Sequence, residues 1–245
     1  MSRPTQTLSR GRSIQLPDPT VSAVIAVLDG EKFLAEAIES VLGQTVPCTQ
    51  VVVVDNGSVD RSREVAERYT PQVTVLDEPK RGIGPARNAG LAAAEGDFVG
   101  VLDCDDLWEP HKNEIQLDAF ARIPDLGLVF GHVVQFADSS YDPSLHGELD
   151  LSQGPQPGLF LPSMLAPLEV WRQVGPWSED VGVSDGLEWL LRARALGLRE
   201  EMLPDLVMRR RIHNSNHSRR KRHEVGEFAH FLKRAIDERR RREVR

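Results

Sequence analysis

The chain has 245 residues, a formal net charge of −7, 40% hydrophobic and 27% charged residues, which suits one large α/β domain with a sizeable core and excludes a disordered or fibrous class. No apolar run approaches the roughly 20 residues that span a bilayer, and residues 1–19 are polar, without the apolar segment of a secretory signal, so they read as a disordered lead-in. Two cysteines, Cys48 and Cys104, cannot build a disulfide framework, and their flanks do not resemble a zinc site; a reducing, cytoplasmic setting is expected.

Apolar strands and helices alternate through the first half. Residues 21–28 form a β-branched run between Pro19 and Asp29-Gly30 and read as a buried strand. A helix is expected over 31–44, with Phe33, Leu34, Ala37, Ile38, Val41 and Leu42 on one face. Residues 51–54 make a second buried strand, closed by Asp55-Asn56-Gly57-Ser58. Then follow a helix over 60–69, a short strand over 73–76 and a helix over 85–94. Residues 98–102 form a strand that ends in three carboxylates, Asp103, Asp105 and Asp106. Such alternation predicts a mostly parallel sheet covered on both faces, a Rossmann-like α/β class. The second half is less regular: a strand over 128–134, a loop-rich stretch over 138–157, a helix over 186–196 with Trp189, and an extended segment over 206–212.

Like charges crowded at a strand end raise the cost of ionising one another. A divalent cation recovers that cost, because hard ions such as Mg2+ or Mn2+ take carboxylate oxygens together with substrate phosphates. An acidic turn capping the next helix explains one aspartate but not three. Ligands of parallel α/β sheets collect at the carboxyl ends of the strands, where Asp29, Asp55 and the Asp103 cluster all lie. Charge is uneven along the chain: residues 209–245 hold fourteen Lys/Arg against five Asp/Glu. Within that tail Phe228, Phe231, Leu232, Ala235 and Ile236 recur at helical spacing, so 219–245 reads as a basic amphipathic helix with a solvated arginine-rich face. Nucleic acid is not expected as a partner; peripheral contact with an anionic membrane through this tail stays open.

Five segments occur in one order: Val-Ser-Ala-Val-Ile-Ala-Val-Leu-Asp-Gly-Glu-Lys-Phe-Leu (21 to 34), Ser-Val-Leu-Gly-Gln-Thr (40 to 45), Val-Val-Val-Asp-Asn-Gly-Ser-Val-Asp (52 to 60), Gly-Pro-Ala-Arg-Asn-Ala-Gly-Leu (84 to 91) and Leu-Asp-Cys-Asp-Asp-Leu-Trp (102 to 108). In this order and spacing they resemble a family 2 glycosyltransferase of the GT-A fold. Looser matches follow in residues 174–179, 184–193 and 211–218. The resemblance implies a nucleotide-sugar-binding half over 20–115 and an acceptor-binding half over 116–218 of the same domain. It also implies transfer of a sugar, with inversion and metal assistance, from a nucleoside diphosphate sugar to an acceptor hydroxyl or similar nucleophile.

The resemblance further assigns roles. Leu28, Asp29, Asp55 and Asn56 would hold the base, Asp55 accepting from a ring N–H; Asn56 stands where a second acid is commoner, and Leu28 where an aromatic is common. UDP- and dTDP-sugars both remain open. Arg87 would face the donor phosphates, for which a guanidinium fork is suited. Asp103-Cys104-Asp105 matches the Asp-X-Asp motif, with Asp105 the first metal ligand and Asp103 on ribose or metal; Asp106 is a supporting or capping residue. Asp185 aligns with the general base, preceded by Ser184 where a Glu is usual, and Glu188 is the reserve. His213 matches a histidine near the metal or diphosphate and mildly favours Mn2+ over Mg2+; His217 would join it only on a helix. Residues Arg209, Arg210 and Arg211 either close over the diphosphate or are solvated. Trp171, Trp177 and Trp189 offer a sugar-stacking surface or, for at least two of them, core packing. The acceptor, whether saccharide, small molecule or peptide, is not specified. Two rivals are a non-catalytic nucleotide-sugar or partner-binding module and a nucleotidyltransferase; against the latter, Asp29-Gly30-Glu31-Lys32 is a poor phosphate cradle.

Overall fold

Successive side chains of a strand point to opposite faces of its sheet, so runs that are apolar at every position belong in the middle of a sheet covered on both sides. In the computed structural model, which describes residues 18–146, 151, 154–178, 185–214 and 216, these runs form the parallel strands β1 (Val21–Val27), β2 (Gln50–Asp55), β3 (Thr74–Asp77) and β4 (Phe98–Asp103). Their order is β3-β2-β1-β4, and β8 (Ala166–Pro167) extends the far edge antiparallel. Most of the expected lead-in, and all of residues 219–245, lie outside the described residues.

The pleat sorts the core into two. Val24, Ala26, Val52, Val54, Val99 and Val101 face one side, where Trp171, Trp177 and Trp189 pack; Ala23, Ile25, Val27, Val51 and Val53 face the other. There they meet α1 (Leu34–Leu42), whose Leu34, Ala37, Ile38 and Val41 are buried at helical spacing. The helix is shorter than the expected 31–44. Gly30 accepts from the backbone N–H groups of Phe33 and Leu34 in a turn, Phe33 becomes the N-cap residue, and Leu42 is about one-third exposed. Helix α2 (Ser62–Glu67) likewise begins later than expected, because Asp60 accepts from the Ser62 N–H (2.9 Å) and the Glu31 N–H (2.9 Å) and so belongs to a turn. Helix α3 (Ile83–Ala92) lies against the Trp-bearing face. It can approach that closely because residue 90 is Gly: a Cβ there would come within 2.2 Å of Val24 Cγ1.

A second sheet has the order β5-β9-β6-β7, from β5 (Leu107–Trp108), β9 (Arg199–Ile212), β6 (Leu126–Ala137) and β7 (Gln156–Pro157). Strands β6 and β9 are both longer than expected and pair in parallel through irregular register. The two halves of the chain interleave, since β5 joins the second sheet and β8 the first. The stretch 138–157 is loop-rich as expected but contains α5 (Pro143–His146) and β7; residues 147–150 and 152–153 lie outside the described residues.

Helix α4 (Lys112–Arg122) escapes the sequence pattern, because its buried face carries Lys112, Asn113 and Gln116 beside Leu117 and Ala119. The amide donors of that face find acceptors across the structure: Gln116 Nε2 donates to Val129 O (3.1 Å) and Ser163 O (2.8 Å), and Asn113 Nδ2 to Val46 O (3.0 Å). Helices α6 (Leu168–Val174) and α7 (Asp185–Ala195) complete the Trp-bearing side. Trp171, Trp177 and Trp189 pack ring to ring there, with centroids 4.2 to 6.2 Å apart, and all three are buried, so they are core and not a sugar-stacking surface. No helix among the described residues is long and apolar enough to cross a membrane.

Candidate active site

The strand order reverses between β1 and β4, where a crevice opens beyond the carboxyl ends of a parallel sheet. Ala26 of β1 registers with Asp103 of β4, and Val27 with Asp55 of β2, so both aspartates end on that rim. Asp29 follows β1 with a left-handed φ of 53°, which Asp tolerates better than most residues. Its N–H donates to Ser58 Oγ (3.0 Å) and its Oδ1 accepts from the Val59 N–H (2.8 Å), tying the first loop to the second. Asp55, buried, accepts from the Ser58 N–H (3.0 Å). Asn56 is also buried: its Nδ2 donates to Glu78 O (2.9 Å) and Lys80 O (2.8 Å), and its Oδ1 accepts from the Gly82 N–H (2.7 Å). The amide that replaces the commoner acid thus serves both as donor and as acceptor to the loop before α3. Leu28 is half-buried between β1 and this turn.

Arg87 is not a surface residue of α3. It is 7% exposed, and its NH2 donates to Asp103 Oδ1 at 2.8 Å. Its neighbour Asn88 turns the other way, toward the Trp cluster: Nδ2 donates to Trp177 O (3.1 Å) and Oδ1 accepts from the Trp177 N–H (2.8 Å).

Beyond β4 the three carboxylates diverge. Asp106 folds back into the protein, where burial, and then Asp105 and Asp103, push its carboxyl well above the usual carboxylate range. It accepts from the Arg211 N–H (2.8 Å) and caps no helix, since α4 begins at Lys112. Asp105 meets the end of β9: its Oδ2 lies 2.9 Å from His213 Nε2 and accepts from Asn216 Nδ2 (3.1 Å). His213 is buried, its ring packed on Phe33 with centroids 4.6 Å apart. Arg211 is buried too, neither solvated nor closing over an opening. Its guanidinium sits between the rings of Phe33 and Phe136, 4.8 Å from each centroid. Arg209 and Arg210 instead lie over Phe136 and Phe160.

Asp185 opens α7, but its side chain, Ser184 and His217 lie outside the described residues. Glu188 is not a free helix-surface charge, because Arg192 donates to both its oxygens (2.7 and 3.0 Å) and also to Val174 O and Pro176 O. Sequence reasoning missed Phe33, Glu36, Asn216 and the inward course of Arg211. One signal was present: in a strand, residues two apart share a face, which puts Arg211 beside His213.

The donor set fits a divalent ion in part. An octahedral ion with bonds of about 2.1 Å holds adjacent ligands about 3 Å apart, the separation of Asp105 Oδ2 and His213 Nε2. Among the described residues no three His, Cys, Asp or Glu side chains converge closely enough to hold a metal by themselves. Such an ion needs further oxygens, as Mg2+ and Mn2+ commonly take from substrate phosphates.

The family model for glycosyl transferase family 2 matches residues 22–164. An uncharacterized glycosyltransferase of Nostoc sp. is 36% identical over 113 residues, 44% of this chain and 35% of that protein. The chondroitin synthase of Escherichia coli is 34% identical over 115 residues, 46% of this chain and 17% of that one. The matched region thus spans about a third of these relatives' length or less. Among solved structures, S. aureus TarS 1-349 in complex with UDP-GlcNAc aligns with a TM-score of 0.63 at 21% identity, over 81% of this chain and 60% of that one. Glucosyl-3-phosphoglycerate synthase from Mycobacterium tuberculosis, in complex with Mn2+, UDP and phosphoglyceric acid, aligns with a TM-score of 0.61 at 21% identity, over 89% of this chain and 78% of that one. These likenesses show a shared GT-A fold. With the family model matching more than half of its length, the chain belongs to glycosyl transferase family 2.

Proposed function

We propose that the protein transfers a sugar from a nucleoside diphosphate sugar to an acceptor nucleophile, with inversion and with Mn2+ or Mg2+. The observation that carries this reading is the meeting of Asp105 with His213 at the strand-order reversal, beside the Arg87–Asp103 pair. Residues 20–115 hold the donor and 116–218 the acceptor. Asp29 and Asp55 flank the base, with Leu28 against it, while Asn56 keeps the loop before α3 in place. UDP-sugars are the favoured donors, since solved relatives of this fold carry UDP or UDP-GlcNAc; dTDP-sugars remain a second choice. Asp105 and His213 are the protein ligands of the ion, with Asp103 beside them on ribose or metal. When bound, the ion supplies Lewis-acid neutralisation of the departing diphosphate. Arg87, buried and fixed by Asp103, adds positive charge behind that site. Asp185, at the start of α7, takes the proton from the acceptor hydroxyl as it attacks the anomeric carbon. The acceptor is a saccharide, a small molecule or a peptide.

The test is a panel of nucleotide sugars in thermal-shift assays, with and without Mn2+, on wild type and Asp105→Ala. A donor that stabilises wild type only with metal, and fails to stabilise the variant, is the expected outcome. If no nucleotide sugar binds under either condition, the reading fails. If one binds but is neither hydrolysed nor transferred, the chain is a binding module.

A further inference from the structure

Arg211 has no place in the chemistry proposed above, yet it is among the most heavily engaged side chains of the molecule. It is 5% exposed, between two aromatic rings, where an arginine would not be placed for solubility. Its groups reach the turn after β4, helix α1 and the end of β6. Nε donates to the backbone carbonyl of Asp105 (3.0 Å), NH2 to Glu36 Oε2 on α1 (2.8 Å), and its own N–H to Asp106 Oδ1 (2.8 Å). NH1 lies 3.9 Å from Asp138 Oδ2, whose other oxygen accepts from Lys32 of the first loop. Phe33, on which the guanidinium stacks, also packs on the His213 ring. Asn216 adds a further tie, its Nδ2 donating to both Asp105 Oδ2 and Arg211 O (3.1 Å each).

A ligand pair holds an ion tightly only when groups behind it fix its orientation. Asp105 and His213 lie 108 residues apart, just beyond β4 and just beyond β9. The Asp105 main chain is held by the Arg211 guanidinium, and the His213 ring leans on the same phenylalanine. We infer that Arg211 is a positioning residue that sets the Asp105–His213 pair for a divalent cation and does not itself contact the diphosphate. This rests on the reading of Asp105 and His213 as the ion's protein ligands.

The experiment measures Mn2+ binding by electron paramagnetic resonance in the presence of UDP, and UDP binding by calorimetry without metal, for wild type, Arg211→Lys and Glu36→Gln. A lysine keeps the charge but cannot reach Asp105 O and Glu36 together. The expected result is a loss of Mn2+ affinity of roughly tenfold or more for Arg211→Lys, with metal-free UDP affinity unchanged. Glu36→Gln weakens the far anchor and shows a smaller loss in the same direction. A folded Arg211→Lys variant with wild-type Mn2+ affinity overturns the inference. So does one that loses metal-free UDP binding, which would make Arg211 a diphosphate ligand. Should Arg211→Lys not fold, Glu36→Gln decides, and an unchanged Mn2+ affinity there refutes the positioning role. Failure of wild type to bind Mn2+ with UDP sinks the ligand assignment as well, whereas a loss confined to the positioning claim leaves wild-type binding intact.

Discussion

Of the buried cations among the described residues, Arg211 and Lys112 are treated in opposite ways. Arg211, on β9, has the carboxylates of Glu36 and Asp138 at its guanidinium, the Asp106 carboxyl at its backbone N–H, and the neutral Asp105 carbonyl at Nε. Lys112, on the α4 side, has neutral partners, donating to Gln116 Oε1 (2.7 Å) and Met164 O (3.2 Å) and lying 4.2 Å from the centroid of the Trp108 ring. Burial therefore pushes its ammonium down to about 7. Guanidinium stays charged at any working pH, whereas a lysine can give up its proton when burial makes charge costly. The rim keeps its charge where the fold gathers carboxylates; the scaffold uses a long side chain that can become neutral.

The comparison can be broken most forcefully at the rim. Asp105→Ala should lower transfer by about a thousandfold, equivalent to about 4 kcal/mol of activation free energy. Its melting temperature should move by only a few degrees, because relief of one charge beside buried Asp106 offsets the lost contacts with His213 and Asn216. A steady-state assay with a melting scan checks both, and parallel losses of stability and activity would make Asp105 structural. Next in size, Arg211→Met should cost about 2–3 kcal/mol through the lost bond to the Asp105 carbonyl and the lost contacts of the guanidinium with Phe33 and Phe136, a drop on the order of 5–10 °C. Lys112→Met should stay within about 1 kcal/mol of wild type, since a volume-matched apolar residue replaces a poorly solvated amine. Equal losses in urea titrations of the two variants would erase the contrast.

Asn88→Ala sharpens it from the scaffold side. Loss of the paired bonds to Trp177 should cost about 2 kcal/mol, with Mn2+ and UDP affinities unchanged. The last effect is in pH. Unfolded Lys112 binds its proton below about 10.5, but native Lys112 only below about 7. Between those values the unfolded state holds more protons, so stability rises with pH across that window, and below about 7 the full penalty is present. The contribution of Lys112 is on the order of 1 kcal/mol per pH unit. Urea midpoints between pH 7 and 9.5 should show a slope in wild type that Lys112→Met lacks.

The sequence by itself determined the parallel strands β1, β2 and β4 and the place of the acidic cluster, because two-sided apolar runs and turn residues are local signals. Asp29, Asp55 and Asp103 could be set on one rim without coordinates, since strand ends of one parallel sheet share an edge. Helix α4 was hidden because its inward face is polar, and its amides find acceptors only in residues such as Val129 and Ser163. The turn of Asn88 toward Trp177 and the burial of Arg211 were decided by tertiary structure alone, and the contact of His213 with Asp105, expected only from the family resemblance, took its geometry there. Each joins segments far apart in the chain, and a buried polar group declares its partner only when the surrounding elements have packed and water has been excluded.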